Sequence, residues 1–189
     1  AKNMLEIAGL EIAELVYRPD IATNYVLEEY CDKKQVTPTT RMEAEMGSGV
    51  TLYVGVEGGH GTTVVPRLVG LPLMQAKGRL WELGLNVGRV DFDEGVNLLN
   101  QKDTRVYVQI PGAERSAGLG SKVDLRLTLD GAKVDKHRAE AEKQAQAAAE
   151  ERRMAEQQLA DSLAQSALEE AAESAEEQPA GNDNEGFFD

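Results

Sequence analysis

Few residues in this chain have the types and spacing that chemistry needs. The histidines are His60 and His137. His60 stands in the run Gly55-Val56-Glu57-Gly58-Gly59-His60-Gly61, and His137 heads an Ala/Glu-rich segment. Neither has a Ser, Cys or Asp partner in the sequence, so a nucleophilic triad lacks its base. Cys31 is the single cysteine; it closes no intramolecular disulfide and supplies no Cys/His zinc cage. It ends a predicted strand, Val26 to Cys31, and reads as a semi-buried structural thiol. The Gly-rich runs 55–61 and 118–122 fit neither dinucleotide nor P-loop spacing and read as turns. Asp91, Asp93 and Glu94 crowd one turn without the spacing of a calcium loop. Glu169-Glu170 and Glu176-Glu177 fall in the tail, which holds no catalytic spacing. No catalytic residue, no metal site and no cofactor is expected, and the chain reads as a non-enzyme.

Two features stand out as binding candidates. On the helix predicted from Pro72 to Leu83, Trp81 sits one position from the apolar face. The first copy of an internal repeat, described below, carries Glu6 at that place. A position that accepts Glu in one copy is not fully buried, so Trp81 is a candidate contact surface. Lys77 and Trp81 are i and i+4 on one helix surface. Arg79 lies close along the same segment, and Gly78 leaves the surface open. The second feature is the ending Phe187-Phe188-Asp189, flanked by Asp183 and Glu185. Two of three Phe residues fall where no core can form, which makes Phe187 and Phe188 a candidate docking motif.

The elements that would carry these residues come in two copies. Gly9-Leu10-Glu11-Ile12 matches Gly84-Leu85-Asn86-Val87 at an offset of 75. Gly47-Ser48-Gly49-Val50-Thr51-Leu52 matches Gly120-Ser121-Lys122-Val123-Asp124-Leu125 at an offset of 73. Val36-Thr37-Pro38 is paired with Gln109-Ile110-Pro111, and one loop is expected to absorb the two-residue slip. In the second copy Pro72 opens a helix with Leu73, Ala76, Leu80 and Leu83 on one face, stopped by Gly84. Strands follow over Leu85 to Phe92 and over Arg105 to Ile110, the latter with Val106, Val108 and Ile110 on one side. In the last strand Val123, Leu125, Leu127 and Leu129 face one way. One helix on a sheet that is apolar on one face makes a small α+β unit, with a mainly antiparallel three-stranded sheet. The opening, Ala1 to Gly9, reads as the back half of such a helix, which predicts further chain upstream.

Composition divides the chain near residue 131. Lys133 to Asp189 carries six basic and fifteen acidic residues, more than half of the overall net charge of −13. It lacks Gly until Gly181 and is dense in Ala and Glu. The expected domains are a first repeat truncated at its start (1–57), a flexible Gly-rich linker (58–61), and a second repeat (62–131). A helical tail (132–178) that does not dock on the repeats and a disordered acidic C-terminus (179–189) complete the chain. Net acidity argues against nucleic acid as a partner. No run of about 18 apolar residues occurs, so no transmembrane helix is expected within these residues.

The second copy resembles a PASTA domain, a small extracytoplasmic repeat of bacterial penicillin-binding proteins and Ser/Thr kinases. The landmarks are Val64-Val65-Pro66-x-x-Val69-Gly70, Ala76 and Leu80, Gly84-Leu85, Val87-Gly88-x-Val90, Val106-x-x-Gln109-x-Pro111 and Gly120-Ser121-x-Val123-x-Leu125. They span about residues 62–130, and the first copy matches as far as Val56. The pattern departs from the family at Glu114 and Arg41, where a Gly is usual. The arrangement also resembles the kinase-less, membrane-anchored PASTA proteins of Bacteroidetes-type bacteria. That resemblance implies a bacterial cell envelope location, on the periplasmic side of the inner membrane, with membrane contact only through an upstream anchor. It implies a non-enzymatic protein whose repeats make weak contact with peptidoglycan or muropeptides, for which Trp81, Lys77 and Arg79 are the candidate contact residues. The alternative is a spacer or scaffold that recruits an envelope protein through the acidic tail and Phe187-Phe188.

Overall fold

The computed structural model describes residues 1–39 and 41–176. Residues Ala1–Ala149 form one compact unit, and the described residues 150–176 belong to a second. The first unit contains α1 (Lys2–Ile7), β1 (Glu11–Pro19), β2 (Val26–Cys31), β3 (Lys34–Val36), β4 (Gly49–Val56), β5 (Thr62–Val64), α2 (Leu73–Glu82), β6 (Asn86–Phe92), β7 (Arg105–Ile110), β8 (Ser116–Gly118) and β9 (Lys122–Thr128). The long α3 (Gly131–Glu176) begins in it. The class is α+β, as expected.

The two copies share one sheet plan. The first sheet runs β1-β4-β2-β3 and the second β6-β9-β7, so the last strand of each repeat lies in the middle. That central strand pairs in parallel with the first strand, β1 or β6, and antiparallel with β2 or β7. The three-stranded sheet of the second repeat is therefore evenly mixed rather than mainly antiparallel. Bulges repeat as well. The central strand slips against its parallel neighbour after Ile12 and after Val87. It slips against its antiparallel neighbour around Leu27 and around Tyr107, between Val26 and Glu28 and between Val106 and Val108.

Register corrects the sequence alignment between the copies. Glu28 pairs with Tyr53, and Val108 pairs with Arg126, so β2 maps onto β7 at an offset of 80. Tyr30 is thus the counterpart of Ile110, not Thr37. The first repeat is five residues shorter before β2 and seven longer after it. The extra chain holds β3, which forms a hairpin on β2 through Asp32 and Lys33, both at positive φ. The two-residue slip is the remainder of two larger changes of opposite sign.

Burial also corrects two predicted faces. Val106 is fully buried, but the bulge at Tyr107 turns the alternation over, so Gln109 lies at 9% exposure and Ile110 at 56%. The Gln109 side chain accepts from the Leu68 amide (2.8 Å) and donates to the Pro66 carbonyl (2.9 Å), which satisfies a buried amide. Leu129, one residue past β9, is 45% exposed, and Leu83, after the last helical residue, 40%. The second core is otherwise as the spacing predicts: Ala76, Leu80, Leu85, Val123, Leu125 and Leu127 are essentially inaccessible.

The expected flexible linker is a turn over Glu57–Gly59 running directly into β5, with the Leu119 amide donating to the Gly61 carbonyl (2.9 Å). The expectation of an undocked tail fails for residues 131–149. Asp130 caps α3 by accepting from the Ala132 and Lys133 amides (2.9 and 3.2 Å). Val134, at 4% exposure, and Ala145, at 1%, face the body, with His137 and Ala141 half-buried between them. The spacing of 3, 4 and 4 marks one helical stripe, made mostly of small side chains.

Candidate functional site

Helix α2 brings Lys77 and Trp81 onto one surface, as their spacing predicts, but that surface faces the first repeat. Lys77 Nζ sits 3.0 Å from Glu11 Oε2. Trp81 packs against the core of the first repeat, with Leu10 and Tyr17 for company. The space over Gly78 is not open: Lys2 Nζ lies 3.5 Å from the Gly78 carbonyl and 2.9 Å from Glu82 Oε1. The hydrogen bond from Lys2 holds the Glu82 carboxyl below its usual range. Arg79 stands apart, 67% exposed, with Nη1 3.8 Å from Glu82. Exposed pairs of this kind are screened by solvent and add little, so they orient the repeats more than they bind them.

The stronger tie is Asn86, which sequence reasoning passed over. Its side chain is 2% exposed and reaches across to β1. Oδ1 accepts from the Leu15 amide (2.8 Å), and Nδ2 donates to the Leu15 carbonyl (2.9 Å) and to Gly120 (2.8 Å). The signal was a polar residue between Leu85 and Val87 in an otherwise apolar run. Close by, Gly84 caps α2 at φ 71°, and a Cβ there would stand 2.5 Å from the Tyr17 hydroxyl oxygen. The repeats therefore meet with side chains laid on backbone, Asn86 on Leu15 and Tyr17 on Gly84. Burial at this contact pushes the Tyr17 phenol up.

A second cluster forms where α3 docks. Tyr107, the residue in the β7 bulge, donates its hydroxyl to Asp93 Oδ1 (2.9 Å). Lys133 Nζ donates to Asp93 Oδ2 (2.6 Å) and lies 4.1 Å from the centre of the Tyr107 ring. His137 packs edge-on against the same ring, with centroids 5.1 Å apart. His137, which has no Ser, Cys or Asp partner in the sequence, thus meets an aromatic ring in the fold. The hydrogen bond from Lys133 holds Asp93 below its usual range, and the Asp93 bond holds Lys133 above its own. Next to this cluster, between α3 and the second repeat, lies a cleft of about 270 Å³.

The other candidates are spread elsewhere. Phe187 and Phe188 lie outside the described residues. Cys31 is buried in the first core at 3% exposure. His60 is exposed beside the Gly-rich turn. Among the described residues no group of His, Cys, Asp and Glu gathers as a metal site, and no helix is long and apolar enough to cross a membrane.

No family model matches the sequence. A curated relative, a probable serine/threonine-protein kinase of Clostridium perfringens, is 31% identical over 128 residues. The match takes in 68% of this chain and 17% of that protein, so the chain spans about a sixth of the kinase's length. The repeat landmarks from Val64 to Leu125 occupy the turns, cap and strand positions described above. Among solved structures, the chain is similar to the three-PASTA-domain of a Ser/Thr kinase from Staphylococcus aureus, at 16% identity. That match covers 68% of this chain and 59% of the other, with a TM-score of 0.29, too low to compare architectures. The chain is a PASTA-domain protein. Its PASTA repeats are the two units of the body, and the aligned share of the kinase is far too small to carry over an activity.

Proposed function

We propose that this is a non-catalytic cell-envelope protein whose PASTA repeats make weak contact with peptidoglycan or muropeptides. The observation that carries the reading is the tandem PASTA body itself, matched to a segment of a bacterial kinase. The contact surface is the solvent side of α2: the outer edge of Trp81 with Arg79, and Lys77 at its margin. A half-buried indole offers a flat apolar edge to a sugar ring, and Arg79 offers donors. The overall charge of −13 gives no long-range attraction to anionic wall polymers, so binding is weak, with Kd no tighter than about 10 μM.

The test is an NMR titration of the labelled full chain with purified muropeptides. Shifts centred on Arg79 and the Trp81 indole N–H are expected, and Arg79→Gln should weaken them without changing thermal stability. Trp81→Glu copies the first repeat and should abolish them, although it also disturbs the packing of Trp81 on the first core. Absence of shifts on α2 at millimolar ligand overturns wall contact and leaves the spacer reading, in which the tail recruits a protein.

A further inference from the structure

One surface is covered in the second repeat and open in the first. Tyr107, Val108 and Gln109 of β7 face α3, and beside His137, Glu140 and Ala141 only about 180 Å³ is left. By register and bulge position, Leu27, Glu28 and Glu29 of β2 hold the same places in the first repeat. They line a groove of about 460 Å³ whose other wall includes Val36 and Pro38. Among the described residues, none that lines this groove is helical. A surface that a helix fills in one copy thus stands open in the other.

The charges at matching places are inverted. Tyr17 pairs with Val54 and Phe92 with Leu127, which makes Arg18 the counterpart of Asp93. Asp93 is the anion that takes Lys133 of α3 at 2.6 Å. Arg18 is a half-exposed cation, with Nη1 3.5 Å from Glu28 Oε1. The neutral Val108 and Gln109, which share a cleft with Glu140, are replaced by Glu28 and Glu29. A helix with the charges of α3 would meet like charge twice on the first repeat, Lys133 opposite Arg18 and Glu140 opposite the two glutamates. Leu27 also lacks the ring and hydroxyl of Tyr107, so an apolar side chain suits the place of His137.

We propose that the groove along Leu27 receives a helix of a protein partner whose facing residues are an acid, a Leu four positions on, a base three further, and then an Ala. That spacing keeps all four on one helix face. The acid pairs with Arg18, the Leu packs on Leu27 and Val36, and the base meets Glu28 and Glu29, with the helix seated as an apolar stripe in a groove. An acid near the start of the helix and a base later also suit its dipole. The site is separate from the α2 surface and does not depend on wall contact there.

The probe is a synthetic peptide of residues 130–149 carrying Lys133→Glu, His137→Leu and Glu140→Lys. A lactam between Asp135 and the new side chain of Ala139→Lys, both on the outward face, keeps it helical. It is titrated into the labelled full chain and followed by NMR. Saturable shifts at Arg18, Leu27 and Val36 are expected, with Kd about 0.1–1 mM. The lactam peptide without the other three changes should bind there about tenfold or more weakly, because two opposite-charge contacts become like-charge ones. Arg18→Glu in the protein should weaken the redesigned peptide about fivefold or more. Leu27→Glu should abolish its binding while leaving Tm in place, since Leu27 is already partly exposed. Unmoved Val134 and Ala145 methyl signals would show that the peptide has not displaced α3. No saturable shift at about 1 mM, equal affinity of the two peptides, or shifts confined to the second repeat overturns the proposal.

Discussion

In the second repeat, Ala76 and Leu80 of α2 have no exposed surface, and Val65 and Leu68 from the chain ahead of the helix are equally buried. In the first repeat, α1 buries none of its residues. The sheets beneath are the same in strand order, pairing and bulge position. The difference lies in the layer above. A groove of about 610 Å³ opens over the first sheet, with Ile12, Leu15, Leu52 and Val54 in its wall and Trp81 and Leu119 of the second repeat on its far side. Those core residues still reach 2–8% exposure. The second repeat thus supplies part of a covering that α1 leaves incomplete. One sheet plan can hold its register with a partial lid, provided a neighbour leans on it.

The bulges give the same lesson on the other side of the sheet. Leu27 and Tyr107 occupy equivalent bulge positions, yet Leu27 is 37% exposed and Tyr107 is 8%. Helix α3 accounts for the gap, through Lys133 and His137 against the Tyr107 ring.

The largest effect should come from truncating the paired helix leucines. Leu80→Ala should cost about 2–5 kcal/mol in urea unfolding, whereas its counterpart Leu5→Ala should cost about 1 kcal/mol or less, since Leu5 only borders its core. Equal losses would break the comparison. Next is Asn86→Ala, which strands the Leu15 amide and carbonyl in a buried contact and should cost about 2–3 kcal/mol. It should also split one unfolding transition into two, seen by separate probes at Trp81 and Tyr53. Smaller again is removal of the docked part of α3. Ending the chain at residue 130 should lower Tm by about 5 °C or more relative to ending it at 149, by the usual scaling for a body of this size. An unchanged Tm would mean that Val134 and Ala145 bury nothing of consequence.

The smallest effect is the dependence on pH of the Asp93–Lys133 pair. Asp93 is depressed, so its contribution is present above the unfolded carboxylate range and fades as pH falls through the folded value. Lys133 is raised, so its contribution holds below the unfolded lysine range and fades as pH rises through the folded value. Lys133→Met should therefore flatten the acid limb of the Tm profile. Leu27→Ala, in the first repeat, should leave it unchanged.

What could be read from the sequence was whatever repeats locally. The alternation of Val123, Leu125 and Leu127 and the spacing of Ala76 and Leu80 are written within one element each. So is the stop at Gly84. The β7 face was misread because a bulge at Tyr107 changes the period without changing the residue types. The pairing of Val36-Thr37-Pro38 with Gln109-Ile110-Pro111 followed a shared Pro, while hydrogen-bond register follows Glu28 and Val108. The docking of α3 was invisible to a search for large apolar residues, because its stripe is one Val, one His and two Ala. Trp81 and Lys77 were placed on the right helix face, and only the neighbouring repeat decided what that face meets. Asn86 acquires its partner from a distant element, Leu15, which no local spacing encodes.

In both sheets the strand that joins the others is made last. β6 and β7 do not pair with each other; each pairs with β9, as β1 and β2 each pair with β4. A ribosome releasing this chain therefore leaves β1 unpaired, and β2 paired with β3 alone, until residue 56, and leaves β6 and β7 unpaired until residue 128. Neither sheet can close before its final strand is made, and the first then still waits for the second repeat to complete its cover. A nascent chain stalled between β7 and β9 would carry a finished first sheet and two open edges ready to pair with another chain.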